Sequence, residues 1–130
     1  GVNMLEPKTR ELCEGPNFGA LTTMFAHGGP QTGIMWVGCD DEHVLINTEI
    51  HRAKYKNMMR DGRVSVAIWD AQNPYSYVEV RGTVVDTIGG DAARADIEEL
   101  SQKYTSGPYP NQIESERVIV RIRPDRQIGA

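Results

Sequence analysis

The sequence has too little of several features that define common protein classes. Its 130 residues contain two cysteines, Cys13 and Cys39, and three histidines. Two cysteines are too few for a disulfide scaffold, and neither residue type has the spacing of metal ligands, so we expect reduced thiols and no protein-built metal site. No apolar run approaches the ~20 residues of a membrane-spanning helix, and no secretory signal opens the sequence. We therefore expect a cytoplasmic protein without a membrane span.

Charge and missing motifs exclude further classes. The formal net charge is -4 and the pI is about 5.3, which argues against binding nucleic acid through a basic surface. GxGxxG and GxxxxGK(S/T) phosphate loops are absent, as is a GxSxG nucleophile elbow. No Ser-His-Asp or Cys-His arrangement has a spacing that supports it, so we expect no catalytic side chain that acts as a covalent nucleophile.

What is present is the composition of a globular protein, with 39% hydrophobic and 25% charged residues. The length is typical of a single domain over residues 1–130. Alternating apolar residues, helical stripes and turn residues predict about six strands and three short helices. The strands are predicted at 18–26, 32–39, 43–48, 64–68, 78–84 and 117–123, and the helices at 4–14, 49–61 and 93–104. Hairpin-length connections favour a mainly β (α+β) fold, a small antiparallel barrel with peripheral helices.

Proline and glycine mark three positions in the second half of the sequence. We expect Asn73-Pro74 to form a turn and Gly82 to sit at a bulge or bend of a long strand. We expect Pro124 to end the last strand, since proline cannot donate to a sheet ladder.

The most unusual stretch is His51 to Arg63, which holds five of the 14 basic residues against one acid. The five are Arg52, Lys54, Lys56, Arg60 and Arg63. From charge alone, a solvated helix face is the simpler interpretation. The alternative is an anion site, because arginine forks and lysine ammonium groups near a helix N-terminus suit a phosphate. Asn47 and Thr48 precede the run and could contact the same anion, and Arg121 and Arg123 could extend the positive surface.

The same run carries a family resemblance. Asn47-Thr48, Arg52-x-Lys54-x-x-Asn57-Met58 and Arg60-Asp61-Gly62-Arg63-Val64-Ser65-Val66 resemble the signature of the pyridoxamine-phosphate-oxidase-like split β-barrels, and most of all their actinobacterial branch that uses the deazaflavin coenzyme F420. Further matches lie in order over residues 5–125, among them Asn17-Phe18, Pro30-Gln31, Trp36, Lys103-Tyr104 and Arg117-Val118-Ile119. Two departures are Gly62, where the family usually has proline, and Asp96, where many members have histidine. We expect Asp96 to lie remote from the basic run.

The resemblance implies a split β-barrel of the FMN-binding type, a homodimer, and cofactor sites at the subunit interface. It implies that Arg52, Lys54 and Asn57 hold the cofactor phosphate. It places Gly33, Ile34, Met35, Trp36, Asn47 and Thr48 along the tricyclic ring, and it brings Tyr75, Ser76 and Tyr77 from the partner subunit. We also expect Val78 and Val80, together with Tyr75 and Tyr77, to lie in the buried interface.

Three functions stay open at this point. The first is an oxidoreductase that uses reduced coenzyme F420 to transfer a hydride to a small organic acceptor. The second is an FMN-binding oxidase or reductase on the same barrel, and the third is a non-catalytic deazaflavin-binding protein. The two ring systems are alike in shape, but the deazaflavin carries a polyanionic tail, so the length and charge of the groove discriminate between them. For a reductase, we expect the proton that completes the reduced product to come from solvent, which is the simpler source, with Tyr75 or Tyr77 as the alternative donor.

Overall fold

The computed structural model describes residues 4–129, which build one antiparallel sheet with three helices packed on it. In chain order the elements are α1 (Pro7–Glu14), β1 (Phe18–Met24), β2 (Pro30–Trp36), β3 (Gly38–Cys39), β4 (Val44–Glu49), α2 (Ala53–Arg60), β5 (Arg63–Asp70), β6 (Asn73–Ile88), α3 (Gly90–Thr105) and β7 (Arg117–Gly129). The strand order across the sheet is β2-β1-β5-β6-β7-β4-β3.

The sheet curls into a half-barrel around one apolar face. Side chains that alternate along the strands, such as Val66 and Ile68 of β5, Val80 of β6 and Val120 of β7, are completely buried. A period of two places such residues on one face of each strand, and the curl brings those faces together. This architecture confirms the predicted mainly β split barrel with short peripheral helices.

The third helix is fixed to the sheet by its last turn. Ala93, Ile97 and Leu100 form the buried stripe of α3 that the sequence predicts. The Lys103 ammonium donates to two backbone carbonyls, that of Cys13 at 2.8 Å and that of Val37 at 2.7 Å. These bonds join α3 to α1 and to the junction between β2 and β3.

Among the described helices, none is long and apolar enough to cross a membrane.

The strand predicted at 32–39 is two strands, so the sheet has seven rather than six. β2 pairs with β1, whereas β3 pairs with β4 at the opposite end of the strand order. Val37 lies between them and is completely buried. A continuous apolar run does not reveal a change of partner, because both halves bury side chains.

Of the three positions predicted from proline and glycine, the turn and the strand end lie elsewhere in the structure. The turn lies at Ala71-Gln72 rather than at Asn73-Pro74, and the Asp70 carboxylate accepts the Gln72 amide at 2.8 Å to close it. β7 continues past Pro124 to Gly129. Pro124 is tolerated because it pairs opposite Gly82, where the register shifts by a bulge.

The bulge predicted at Gly82 is confirmed, and it explains why glycine is needed there. A Cβ atom at this position would lie 2.5 Å from the carbonyl oxygen of Arg123 on the neighbouring strand. The close approach of the two backbones leaves no room for a side chain.

The expectation that Val78 and Val80 form a subunit interface is wrong. They are 2% and 0% exposed inside the core of a single chain. Tyr75 and Tyr77 occupy the opposite face of β6, because successive side chains of a strand alternate, and they are 86% and 39% exposed. The four residues therefore cannot share one surface.

Candidate active site

A concave pocket of about 250 Å³ lies where β2, β4, α2, α3 and the segment after α3 meet. It is lined by seven of the residues that the family resemblance assigns to cofactor binding: Ile34, Met35, Trp36, Asn47, Thr48, Arg52 and Lys54. The structure adds Ile97, Leu100, Tyr109, Asn111 and Arg117. The site is thus assembled from segments far apart in the sequence.

Three cations face this pocket. Arg52 is half-exposed, Lys54 is half-buried, and the Arg117 side chain is only 3% exposed. Among the described residues, Lys54 has no hydrogen-bond or ion-pair partner. Burial lowers the pKa of Lys54, and the positive charges of Arg52 and Arg117 lower it further. An anion in the pocket would relieve this repulsion.

A single buried carboxylate partly balances the cations. Glu49 Oε2 lies 3.6 Å from Arg117 and 3.7 Å from Arg52. Glu49 Oε1 accepts the backbone amides of Glu114 and Ser115, both at 2.7 Å. Burial would raise the pKa of Glu49, but these amides and the Arg117 charge outweigh it and hold the pKa below its usual value. Glu49 therefore stays ionised and leaves positive charge in excess at the site.

Arg117 is held in place by a chain of hydrogen bonds that ends on α3. It donates to Asn47 Oδ1 at 2.8 Å and to the Tyr109 hydroxyl at 2.6 Å. Asn47 Nδ2 in turn donates to the Ala93 carbonyl at 2.8 Å and to Asp96 Oδ2 at 3.0 Å. These bonds do not bring Asp96 to the basic run itself, but one asparagine joins it to Arg117, which lines the same pocket as Arg52 and Lys54. Burial raises the pKa of Asp96.

Two buried polar atoms of the pocket residues lack a partner among the described residues. They are Thr48 Oγ1 and Arg117 Nε. Buried polar atoms are nearly always hydrogen-bonded, because leaving one unpaired is unfavourable by about 1–3 kcal/mol. An oxygen-rich ligand would satisfy both atoms, so the residues present fit an anionic or carbonyl-bearing cofactor.

The opposite wall of the pocket is flat and aromatic. Trp36 stacks on Tyr104 with ring centroids 5.1 Å apart and an interplanar angle of 4°. Tyr109 meets Trp36 edge-on at 6.1 Å. β2 ends the strand order of the described sheet, so the backbone N–H and C=O groups on its outer edge have no neighbouring strand. A planar heterocycle with polar edges suits such a wall.

Asn57, which the resemblance assigns to the phosphate, is not brought into this pocket. Its Nδ2 donates to Thr23 Oγ1 at 3.1 Å and to Gln31 Oε1 at 3.0 Å, and its Oδ1 accepts from Arg60 at 3.0 Å. These bonds use the amide to connect α2 with β1 and β2. In this chain Asn57 contacts no pocket-lining side chain through its polar atoms.

The other assigned residues lie beside or away from the pocket. Gly33 belongs to β2 but does not line the cavity. Tyr75, Ser76 and Tyr77 lie at the start of β6, outside the pocket of their own chain. Their approach from a partner subunit stays a prediction.

The remaining basic residues do not extend the site. Arg60 donates to the Met24 carbonyl, and Arg63 pairs with Asp61 at 2.7 Å. Arg121 pairs with Asp86 and Arg123 with Asp125, and none of these four arginines lines the pocket. Of the predicted basic run, Arg52 and Lys54 alone contribute to the cavity.

A larger concavity of about 550 Å³ lies on the sheet between β1, β5, β6 and β7. Arg63, Arg81, Glu79 and Asp125 on its walls are engaged in local ion pairs. The residues with unpaired buried polar atoms, Thr48 and Arg117, and the excess positive charge instead line the smaller pocket.

The comparisons with known proteins agree with this fold. The family model for pyridoxamine 5'-phosphate oxidase matches residues 5–127. A solved structure named F420 reductase is 33% identical, covers 91% of this chain and 94% of its own, and superposes with a TM-score of 0.79. A conserved hypothetical protein from Mycobacterium tuberculosis is 22% identical over 99% of this chain and 87% of its own, with a TM-score of 0.72. A putative pyridoxamine 5'-phosphate oxidase from Listeria innocua is 18% identical over 86% of each chain, with a TM-score of 0.65. No curated protein matches the sequence.

Proposed function

Because the chain belongs to the pyridoxamine 5'-phosphate oxidase family, we propose that it is an oxidoreductase that uses reduced coenzyme F420 to transfer a hydride to a small organic acceptor. The observation that carries the proposal is the convergence of Arg52, Lys54 and Arg117 on a pocket with two unpaired buried polar atoms. The F420 reductase that is 33% identical over 91% of this chain supports the choice of cofactor.

The three cations would hold the phosphate of the cofactor. Charge-assisted hydrogen bonds to phosphate are short and strong, and an arginine offers two parallel donors. Arg117 is suited to this role because Glu49 and Asn47 fix its guanidinium before a ligand arrives. Asn57 has a different role in this proposal, which is to position the helix that carries Lys54.

The other pocket residues would orient the ring and exclude water. The edge of β2 offers backbone donors and acceptors, Trp36 a flat wall, and Thr48 a free hydroxyl. Ile97 and Leu100 of α3 cover the pocket with apolar side chains. The bound cofactor supplies the hydride, so the chain needs no covalent nucleophile and acts by position and electrostatics. The proton comes from solvent or from Tyr109, whose hydroxyl oxygen accepts from Arg117 and leaves its own hydrogen free to donate.

We also propose that a second copy of the chain completes the site. Cofactor sites usually enclose about 300–1,000 Å³, and this pocket has about 250 Å³ in one chain. A homodimer in which the partner's Tyr75, Ser76 and Tyr77 cover the open side would supply the missing wall.

An FMN-binding oxidase or reductase is the second candidate, since the matching family model is that of pyridoxamine 5'-phosphate oxidase. Equilibrium titrations of the protein with F420 and with FMN, each at low and high salt, separate the two. We expect F420 to bind more tightly at low salt, and we expect its advantage to shrink with salt because its polyanionic tail is screened. Tighter FMN binding at low salt would move the assignment to FMN. Tight F420 binding with no turnover of nitro compounds, quinones or activated alkenes would support a carrier.

A further inference from the structure

The two cysteines of the chain lie side by side although they are distant in the sequence. Cys13 belongs to the last turn of α1 and Cys39 ends β3, two elements that pack against each other. Both line a third pocket of about 260 Å³, which shares a single lining residue, Leu100, with the proposed cofactor pocket. The proposed hydride transfer uses neither thiol.

The backbones that carry the thiols are held together independently of them. One atom, Lys103 Nζ, binds the Cys13 carbonyl at 2.8 Å and the Val37 carbonyl at 2.7 Å. Val37 is separated from Cys39 by Gly38 alone. A disulfide needs close backbones, and the lysine joins the segment of α1 that carries Cys13 to the segment that leads into Cys39.

The two thiols differ in access and in ionisation. Cys13 is completely buried, whereas Cys39 is half-buried and reaches the pocket. The neighbouring Cys13 thiol lowers the pKa of Cys39 most, and the charges of Arg10 and Lys103 lower it further, while burial and Glu14 oppose the shift. The Cys39 thiol and burial raise the pKa of Cys13. Asp96 and Glu99 also line the pocket, so both signs of charge face the pair. Thiolate character and access make Cys39 the thiol that reacts first.

We propose that Cys13 and Cys39 form an oxidative modification site that takes hydrogen peroxide. The Cys39 thiolate attacks the peroxide, the O–O bond breaks, and Cys39 becomes a sulfenic acid as one water leaves. Cys13 then attacks the Cys39 sulfur, which forms the S–S bond and releases the second water. Two electrons pass from the thiol pair to one peroxide molecule. The product would join α1 covalently to β3.

Hydrogen peroxide treatment of the wild-type protein, followed by intact-mass measurement and thiol titration after unfolding, tests the site. We expect both thiols to disappear together, with a mass decrease of about 2 Da that dithiothreitol reverses, in a chain that stays uncrosslinked on a non-reducing gel. Loss of one thiol with the other retained, or a disulfide between two chains, would overturn the proposal.

Two variants assign the order of the steps. In Cys13→Ser we expect a sulfenic acid at Cys39 that dimedone traps, because the second thiol is missing. In Cys39→Ser, at the less buried position, we expect Cys13 to lose its thiol at least about tenfold more slowly than the wild type does. Equal rates in Cys39→Ser and the wild type would contradict the assignment, even if Cys13→Ser failed to fold.

Discussion

Replacing Lys54 with alanine separates the role of its charge in binding from any role in folding. The ammonium has no hydrogen-bond or ion-pair partner among the described residues, and burial and two nearby arginines lower its pKa. A lysine whose pKa is lower in the folded than in the unfolded chain destabilises the fold at pH values below the folded pKa. This effect disappears as the pH rises toward the unfolded pKa. We therefore expect the free Lys54→Ala protein to melt at the same temperature as the wild type, or higher, at neutral pH.

The same change is expected to weaken cofactor binding. A hydrogen bond to a charged group contributes about 1.5–3 kcal/mol, which corresponds to roughly ten- to hundred-fold in the dissociation constant. Lys56→Ala is the matched control, because Lys56 is exposed on the same helix and does not line the pocket. The measurements are an F420 fluorescence titration at low salt and thermal unfolding of the free proteins. Equal dissociation constants for the two variants would refute the site, and a lower melting temperature for Lys54→Ala would refute the electrostatic argument.

Three further predictions concern the residues behind the cations. Glu49→Gln should lower the free energy of unfolding at neutral pH by about 3 kcal/mol, since the buried Arg117 loses its carboxylate partner. This loss should shrink as the pH falls through the lowered pKa of Glu49. Equal urea midpoints for the variant and the wild type at neutral pH would argue against this prediction. Because the pKa of Asp96 is raised in the folded chain, its contribution to stability is present at low pH and is lost as the pH rises through the folded pKa. Asp96→Asn should therefore melt at a higher temperature than the wild type at pH 7 but not at pH 3. A lower melting temperature of the variant at pH 7 would contradict this. Tyr109→Phe removes an acceptor of Arg117 and should weaken F420 binding about tenfold with turnover retained; a thousand-fold loss of turnover would instead identify the hydroxyl as the proton donor.

The fold was largely predictable because its strands alternate cleanly. Val64, Val66 and Ile68 fall on one face of β5, and the structure buries all three. The failed interface prediction shows how strictly the period of two must be applied. Val78 and Tyr77 are neighbours in the sequence, so they face opposite sides of the strand, and only one of the two sides is the core.

The sequence predicted the site residues that lie in the dense basic run, but it did not predict those that only tertiary packing brings to the pocket. Arg52 and Lys54 stand in a dense basic run, so the sequence alone singles them out. Arg117 begins β7, and its alternation is the same as that of Arg121 and Arg123, which form ion pairs with Asp86 and Asp125 at the surface. It is buried among Asn47 and Glu49 of β4 and Tyr109 of the segment after α3, and no local pattern encodes these contacts. Its place in the motif Arg117-Val118-Ile119 was the available signal. Tyr109, between two prolines, offered none.

The anion site also depends on residues that would not touch the ligand. Asn47 Nδ2 is occupied by two acceptors on α3, the Ala93 carbonyl and the Asp96 carboxylate, so its Oδ1 must face Arg117. The orientation of the guanidinium is therefore set from α3 through one amide. A residue at position 96 that donates instead of accepting would face the Nδ2 donor of Asn47, but the Ala93 carbonyl would still accept from Nδ2. Rotating the amide would bring Oδ1 against that carbonyl and Nδ2 against Arg117, so both of these contacts oppose the rotation. The Ala93 carbonyl and Asp96 therefore act together to fix the amide orientation that presents an acceptor to Arg117.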